Sequence, residues 1–349
     1  MREYGFGLVG CGLIADFHIR AIKEIEGARV VAVADVSEKR GREVAAAHGA
    51  KFYKDFEELA RDKGVNIVNV CTPSGLHAEP ALAAIRAGKH VIVEKPLEVT
   101  LPRCDQIIAE AKRAGVKVGV IFPSRFADAS QVVKQAVAEG RLGKIALADA
   151  YVKWYRTQEY YDKGGWRGTW KLDGGGALMN QSIHAIDLLN WIAGPVVAVQ
   201  AFTGTLAHRI EVEDTAVAVV RFASGALGVI EGTTGAYPGF LKRLEISGDR
   251  GSIVLEENGI RTWRFVEERP EDAQLLEKFG AASGGGGAAD PAAISHAGHR
   301  RQIAEFLEAL AQGREPAVNG PEGRKAVEII LAIYQSARTG KVVELSLNA

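Results

Sequence analysis

The sequence predicts an α/β domain built on a parallel sheet, followed by an α+β domain with a large, mainly antiparallel open sheet. Three observations carry that expectation. At 349 residues the chain exceeds what one hydrophobic core usually organises, which favours two domains. Through residue 122, apolar strands alternate with amphipathic helices and no hairpin turn intervenes, the pattern of a parallel sheet covered on both faces. Beyond it, alternating runs are separated by turn signals such as ASG and GDRG, which reads as antiparallel pairing. The domains are therefore expected at 1–122 and 123–349.

The first strand breaks at Gly10-Cys11-Gly12-Leu13-Ile14-Ala15 and resumes as a helix whose Ile14, Phe17, Ile22 and Ile25 share one face. This is the G-x-G-x-x-A form of the dinucleotide fingerprint. Gly10 permits the tight turn, Gly12 lets backbone amides approach a pyrophosphate, and Ala15 allows close helix–strand packing. The next strand, ARVVAVAD, ends in Asp35, about 20 residues beyond the glycines, where a Rossmann domain places an acid on the adenosine ribose. A carboxylate there repels a 2'-phosphate, so NAD is favoured over NADP, although Lys39 and Arg40 lie close by; Asp35 is equally placed to cap the following helix.

The alternation continues through FEELARDKG (helix), VNIVNVCTP (strand), HAEPALAAIRAG (helix), KHVIVEKP (strand), LPRCDQIIAEAKRAG (helix) and VKVGVIF (strand). In parallel sheets ligands sit beyond the carboxyl ends of the strands. Two such ends carry polar clusters: Thr72-Pro73-Ser74 with Leu76 and His77, and Glu94-Lys95-Pro96. Pro96 cannot donate to a ladder and biases Lys95 towards an extended conformation, so the strand stops with Lys95 directed at the cofactor crevice. An isolated Glu-Lys pair at a strand end is ordinarily exposed and inert. The fingerprint reverses that expectation here.

In the second domain ASQVVKQAVAEGRLG reads as a helix, and the runs from KIALADAYVKWY to LKRLEISGDRG read as strands. Between the first two strands lies WYRTQEYYDKGGWRGTWKLDGGGALMNQSIHAIDLLNWIAG, where aromatic rings, arginines and glycines concentrate. Carbohydrate sites use flat rings for sugar faces and Arg for charged groups. If GALMNQSIHAIDLLNW is helical, Asn180 and His184 share a face, with Asp187 one turn further on and Trp191 in packing. Taken alone, His184 reads as a buried, satisfied histidine. AASGGGGAAD, residues 281–290, is expected to be a mobile loop able to order over a ligand. HRRQIAEFLEALAQG and PEGRKAVEIILAIYQSARTG are amphipathic helices without catalytic assignment, and His296, His299, Arg300 and Arg301 form a basic entrance to the first, as solvated surface or as a diphosphate contact.

Composition excludes several classes. No apolar run approaches the ~18 residues of a membrane span, and the 43 basic residues balance the 43 acidic ones, so no global field draws nucleic acid or an anionic membrane. Cys11, Cys71 and Cys104 are odd in number and scattered, which fits a reducing compartment. The N-terminus has too short an apolar stretch for a signal peptide, and a cytoplasmic location is expected. No metal-type cluster and no serine nucleophile elbow occurs.

VGCGLIADFH, CTPSGLHAE and VIVEKPL together resemble the Gfo/Idh/MocA oxidoreductase family, the glucose-fructose oxidoreductase and inositol dehydrogenase relatives, over essentially the whole chain. The resemblance implies that Lys95 lies beside the reactive carbon and the nicotinamide, with Glu94 as a neighbour in the crevice. It implies that His184 is the acid/base taking the hydroxyl proton, and it adds Arg125 and the Trp166-Arg167 pair to the cofactor candidates. Most members carry an aspartate four residues before the histidine, where this chain has Asn180; an amide cannot accept the proton, so Lys95 and His184 must suffice.

N-Q-S-I-H preceded by R-T-Q-E-Y-Y-D-K-G-G-W-R-G-T-W is similar to a subgroup oxidising the 3-hydroxyl of UDP-N-acetylglucosaminuronic acid in bacterial surface-polysaccharide biosynthesis. Tyr155, Arg156, Tyr160, Tyr161 and Arg167, with Asn180, are then candidates for contacts to a carboxylate or diphosphate, each with ordinary loop packing as the alternative. Two other functions stay open: a dehydrogenase of a neutral polyol or pyranose, and a non-catalytic NAD-binding sensor, against which the retained Lys95 and His184 argue. The resemblance further implies a homo-dimer or homo-tetramer formed through the second domain's sheet.

Overall fold

Six short apolar runs, each ended by a glycine, a proline or a polar cluster, pair side by side at the start of the chain. The structure, a computed structural model, describes residues 3–280 and 295–346, so the Gly-rich stretch 281–290 lies outside the described residues. The chain divides into two units, Met1–Pro123 with Ser295–Val327, and Ser124–Ile294 with Glu328–Ala349.

In the first unit the strands are β1 (Tyr4–Val9), β2 (Ala28–Ala34), β3 (Lys51–Tyr53), β4 (Ile67–Val70), β5 (His90–Val93) and β6 (Val118–Val120). They are parallel, in the order β3-β2-β1-β4-β5-β6, the doubly wound arrangement whose order reverses between β1 and β4. The helices between them are α1 (Leu13–Lys23), α2 (Glu38–His48), α3 (Phe56–Arg61), α4 (Ala78–Arg86) and α5 (Leu101–Ala114). Local chemistry explains their ends. The Ser37 hydroxyl caps α2 by accepting from the Arg40 amide, the Asp55 carboxylate caps α3, and Gly49 and Gly115 close α2 and α5 in the left-handed conformation. Val9 pairs with Val70, Val70 with Val93 and Val93 with Val120. The strand ends are therefore level, and Gly10, Cys71 and Glu94 share one edge of the sheet.

The second unit holds β7 (Ile145–Lys153), β8 (Val196–Gly204), β9 (Thr215–Phe222), β10 (Leu227–Thr233), β11 (Arg243–Gly248), β12 (Gly251–Glu256), β13 (Gly259–Phe265) and β14 (Val343–Glu344). They form one sheet in the order β13-β12-β11-β7-β10-β9-β8-β14, antiparallel throughout except for the parallel pair β7 and β10. Its helices are α6 (Asp128–Ala138), α7 (Gln158–Asp162), α8 (Ile183–Ala193) and α9 (Pro270–Phe279). Along β9, Ala216, Ala218, Val220 and Phe222 are buried while Val217 and Val219 on the opposite face are exposed, the alternation of a sheet covered on one side. α8 is apolar nearly all round, packs against β7 and β11, and is buried at eight of its positions, as such a helix must be.

Two further helices, α10 (Ala297–Gln312) and α11 (Gly320–Thr339), return the chain to earlier elements. The division expected at residue 122 differs from the structure in one respect: 295–327, assigned by sequence to the second domain, clusters with the first unit. The cause is specific. α10 packs on α1, and the Gln302 side chain accepts from the Phe122 amide (2.9 Å) and donates to the Val120 carbonyl (2.6 Å), completing the edge beside β6. Periodicity identifies an amphipathic helix but not the sheet its apolar face meets.

Candidate active site

At the carboxyl edge of the first unit, Gly10 has φ 93°, and a Cβ there would stand 2.7 Å from the Cys71 carbonyl oxygen, so glycine alone fits the turn into α1. Gly12 caps α1, and a Cβ on it would meet nothing within 4 Å. That open space lies in front of the first-turn amides, where Leu13 is exposed and Ile14 half-buried. Asp35 accepts from the Cys11 amide (2.7 Å) and the Ser37 amide (2.7 Å), while Arg40 Nε donates to the Cys11 carbonyl (2.9 Å). Asp35 thus ties the two loops together, and the cap of α2 is Ser37. A helix N-terminus behind an open glycine, with a carboxylate at the end of β2, is a donor and acceptor set that fits a dinucleotide's pyrophosphate and ribose. Burial, with Asp35 adding, pushes the Cys11 thiol up to about 12, and burial holds Cys71 well above the usual range; neither is a nucleophile.

The two loops after β4 and β5 are joined by His77. It is buried, and its ring nitrogens face the Pro96 carbonyl (2.7 Å) and the Thr72 carbonyl (2.9 Å). Burial lowers its pKa against the pull of those oxygens. The Thr72 hydroxyl donates to the Leu76 carbonyl (3.1 Å), Pro73 precedes the 3-10 turn Ser74–Leu76, and Leu76 is exposed. Glu94 is only 5% exposed, so the Glu-Lys pair is not a surface pair. Its Oε2 accepts from the Lys95 amide (3.1 Å), and its Oε1 lies 2.7 Å from His18 Nε2 and 3.4 Å from His299 Nε2. Burial pushes the Glu94 carboxyl up, but the bonds and charge of His18 and His299 outweigh it and hold it well below the carboxylate range. Lys95 itself is half-buried.

In the second unit, His184 stands half-buried in the first turn of α8, but the helix expected to carry both it and Asn180 is not continuous α. Ala177–Ser182 form a π-helical segment, a form often found at functional sites. Its origin is visible: a Cβ on Gly176 would stand 1.9 Å from the Glu213 carbonyl oxygen, and the buried Glu213 carboxylate accepts from the Gly176 amide (3.0 Å), the Leu178 amide (2.9 Å) and the Tyr334 hydroxyl (2.8 Å). A distant carboxylate therefore caps the segment.

Asn180 Nδ2 donates to Asp173 (2.6 Å), which also accepts from the Gly168 amide (2.9 Å). Gln181 Nε2 donates to Asn180 Oδ1 (3.1 Å) and to the Tyr160 hydroxyl (3.0 Å), and its Oε1 accepts from Arg156 (2.8 Å). Arg156 is 3% exposed, donates to the Tyr155 carbonyl (2.8 Å) and lies over the Trp154 and Tyr160 rings. Tyr161 is buried too, with its hydroxyl 2.8 Å from Thr234 Oγ1, and burial raises its pKa. Tyr160, Trp166 and Arg167 are half-buried, with the Arg167 guanidinium over both rings. Tyr155 packs edge-on against Tyr237. Arg125 makes a buried bidentate pair with Asp187 (2.8 and 2.6 Å), with its guanidinium 5.6 Å from the Trp191 ring centre.

Sequence reasoning missed His18, Asp173 and Glu213 and read His299 as part of a basic entrance, whereas it is 5% exposed. One signal was available: His18 sits between Ile14 and Ile22 on the apolar stripe of α1, where a lone polar residue needs a buried partner.

A family model described as an oxidoreductase family with an NAD-binding Rossmann fold matches residues 4–122, and a GFO/IDH/MocA C-terminal domain matches 130–254. The chain is 34% identical, with a TM-score of 0.90, to the WlbA dehydrogenase from Bordetella pertussis, solved in complex with NADH and UDP-GlcNAcA; the match covers 100% of this chain and 99% of that one. It is 29% identical to a myo-inositol 2-dehydrogenase from Thermotoga maritima, over 97% of this chain and 98% of the relative. It is 30% identical to a 1,5-anhydro-D-fructose reductase from Ensifer adhaerens, over the same shares of each.

Proposed function

The chain belongs to the Gfo/Idh/MocA oxidoreductases and is an NAD-dependent sugar dehydrogenase; on that premise we propose that it oxidises the 3-hydroxyl of UDP-N-acetylglucosaminuronic acid to a ketone, in the cytoplasm, as a step towards a bacterial surface polysaccharide. The observation that carries this reading is the half-buried Arg167, its guanidinium over the Tyr160 and Trp166 rings, with Tyr160 joined through Gln181 to Asn180 on the π-helical segment just ahead of His184. A partly accessible arginine beside side-chain amides suits an anionic, amide-bearing sugar better than a neutral ring. The likeness to a solved complex with UDP-GlcNAcA adds support.

NAD, when bound, supplies the hydride acceptor. The residues that hold it are those of the α1 turn and Asp35. In this reading the Lys95 ammonium stabilises the alkoxide that develops on the reacting oxygen, and the His184 imidazole takes the hydroxyl proton. Direct contact with the sugar's charged groups falls to Tyr160 and Arg167, because Arg156 and Tyr161 are buried with internal partners. Asn180, hydrogen-bonded to both Asp173 and Gln181, orients rather than accepts the proton.

A second reading, oxidation of a neutral polyol, is favoured by the similarity to the inositol dehydrogenase. We further propose that the protein pairs with a second copy through the sheet of the second unit. Exposed Val217 and Val219 on β9, and Leu227 set opposite Leu147, support that pairing.

The test mixes protein and NAD separately with UDP-N-acetylglucosaminuronic acid, UDP-N-acetylglucosamine, myo-inositol and glucose. Reduced nicotinamide is followed by absorbance and product by mass, with a 2-oxo acid added in parallel to reveal a cofactor that turns over in place. Oxidation confined to the uronic acid sugar nucleotide is expected. Oxidation of myo-inositol alone transfers the assignment to the second reading.

A further inference from the structure

Behind Lys95 lies a buried cluster that no part of the proposed reaction uses directly. Its members come from four separate elements. His18 is on α1, Asn69 on β4, Glu94 at the end of β5 and His299 on α10, and all are 5% exposed or less. Asn69 Nδ2 lies 2.7 Å from His18 Nδ1, His18 Nε2 lies 2.7 Å from Glu94 Oε1, and His299 Nε2 reaches the same oxygen at 3.4 Å. The two imidazole rings meet edge to face, 5.3 Å apart, and Phe17 closes the outer side of His299. With the Asn69 amide nitrogen at Nδ1, the tautomer of His18 that satisfies both partners carries its proton on Nε2 and donates it to Glu94.

The other carboxylate oxygen faces forward. Glu94 Oε2 accepts from the backbone amide of Lys95, so the carboxylate holds the peptide from which the Lys95 side chain departs. A carboxylate buried to this extent keeps a single orientation only if donors occupy its remaining lone pairs, and here imidazoles occupy them.

We propose that His18 and His299 are positioning residues for Lys95, acting through Glu94. The proposal rests on Lys95 being the group that meets the reacting oxygen, as argued above. α1 also carries the glycine turn, so changes at His18 touch cofactor binding as well. His299, on α10 and 5% exposed, lies apart from the glycine turn and Asp35 that are proposed to hold the nucleotide, and is therefore the cleaner probe. Loss of its donor lets the Glu94 carboxylate rotate and shifts the Lys95 peptide. A displacement of about 1 Å at a reacting group costs up to about 10²-fold in rate.

The test compares the full-length wild type with His299→Leu, His299→Gln and Lys95→Met. Lysines are reductively methylated with carbon-13, and the Lys95 resonance is identified by its absence from Lys95→Met, which requires no substrate. The resonance is expected to move in His299→Leu and to return in His299→Gln, whose amide restores a donor. In turnover of UDP-N-acetylglucosaminuronic acid, His299→Leu is expected to lower kcat by about 10- to 100-fold, with KM and NADH affinity within about threefold, and His299→Gln to recover most of it.

An unmoved Lys95 resonance in His299→Leu, or an unchanged kcat in that variant beside an inactive Lys95→Met, overturns the proposal. Wild-type turnover by Lys95→Met instead overturns the role given to Lys95, while the resonance still decides whether His299 positions it. If His299→Leu does not fold, His299→Asn, which keeps a donor but shortens its reach, takes its place in both measurements.

Discussion

Glu213 makes the stability of the second unit depend on pH in a direction opposite to that of an ordinary surface carboxylate. Burial pushes its pKa from 4.5 up to about 7, against the three donors that face it. Between these values the folded state holds a proton that the unfolded chain has already released, so stability is full at low pH and falls as pH rises towards the folded pKa. A shift from 4.5 to about 7 corresponds to about 3 kcal/mol lost between about pH 5 and about pH 8.

The measurement is favoured by an accident of composition. All five tryptophans, Trp154, Trp166, Trp170, Trp191 and Trp263, belong to the second unit, so their fluorescence during denaturant unfolding reports that unit alone. Glu213→Gln keeps the side chain's shape and cannot titrate, and its difference from wild type removes every other ionisable group from the comparison. Among those is Asp272, whose pKa the hydrogen bonds from Arg141 lower and whose contribution to the same unit is therefore lost only as pH falls below the ordinary carboxylate range. The wild type is expected to lose about 3 kcal/mol relative to Glu213→Gln across the window. A difference that stays flat with pH refutes the reasoning, and shows that the three donors, not burial, set the charge of Glu213.

Other perturbations bear on separate parts of the structure. Asp35→Ser removes the carboxylate that we propose accepts from the ribose, so NADH should bind about 10- to 100-fold more weakly while NADPH gains relative to it; fluorescence titration of both cofactors checks this, and an unchanged ratio contradicts it. Asp187→Ala leaves the Arg125 guanidinium, 3% exposed, without its bidentate partner and should destabilise the second unit by about 3–5 kcal/mol in the same tryptophan assay. Gly10→Ala forces a Cβ against the Cys71 carbonyl at positive φ, and NADH binding should be lost before the far-ultraviolet circular dichroism changes. Val219→Glu places a charge on the exposed strip of β9, and light scattering should record a smaller particle than wild type if that strip joins two copies.

The candidate nucleotide half of the site was legible in the sequence because its pattern is local. A strand, a glycine turn, a helix and an acid follow one another within a few tens of residues, and the positive φ at Gly10, the open face of Gly12 and the bond from Asp35 to Cys11 are consequences of that order. Glu94-Lys95-Pro96 was likewise readable as a strand end at the ligand edge, because a proline stops a ladder wherever the chain runs. Less was legible in the second unit. The stretch holding Asn180 and His184 was recognisable by its aromatic and glycine content, but its periodicity suggested a continuous helix.

Chain order and residue type alone determined the doubly wound sheet and the glycine turn at its carboxyl edge, and singled out Lys95 as a candidate, whereas His184 became one only through the family resemblance. Tertiary structure decided the rest. It brought Glu213 across 37 residues to cap the π-helical segment, joined His18 to Glu94 over 76 residues, and returned α10 to the first unit with His299 against that same carboxylate. The physical reason is common to all three. Periodicity records which face of an element leaves water, whereas the partner of a buried polar group is set by what the packed chain places opposite it, and that information is not contained in any local stretch.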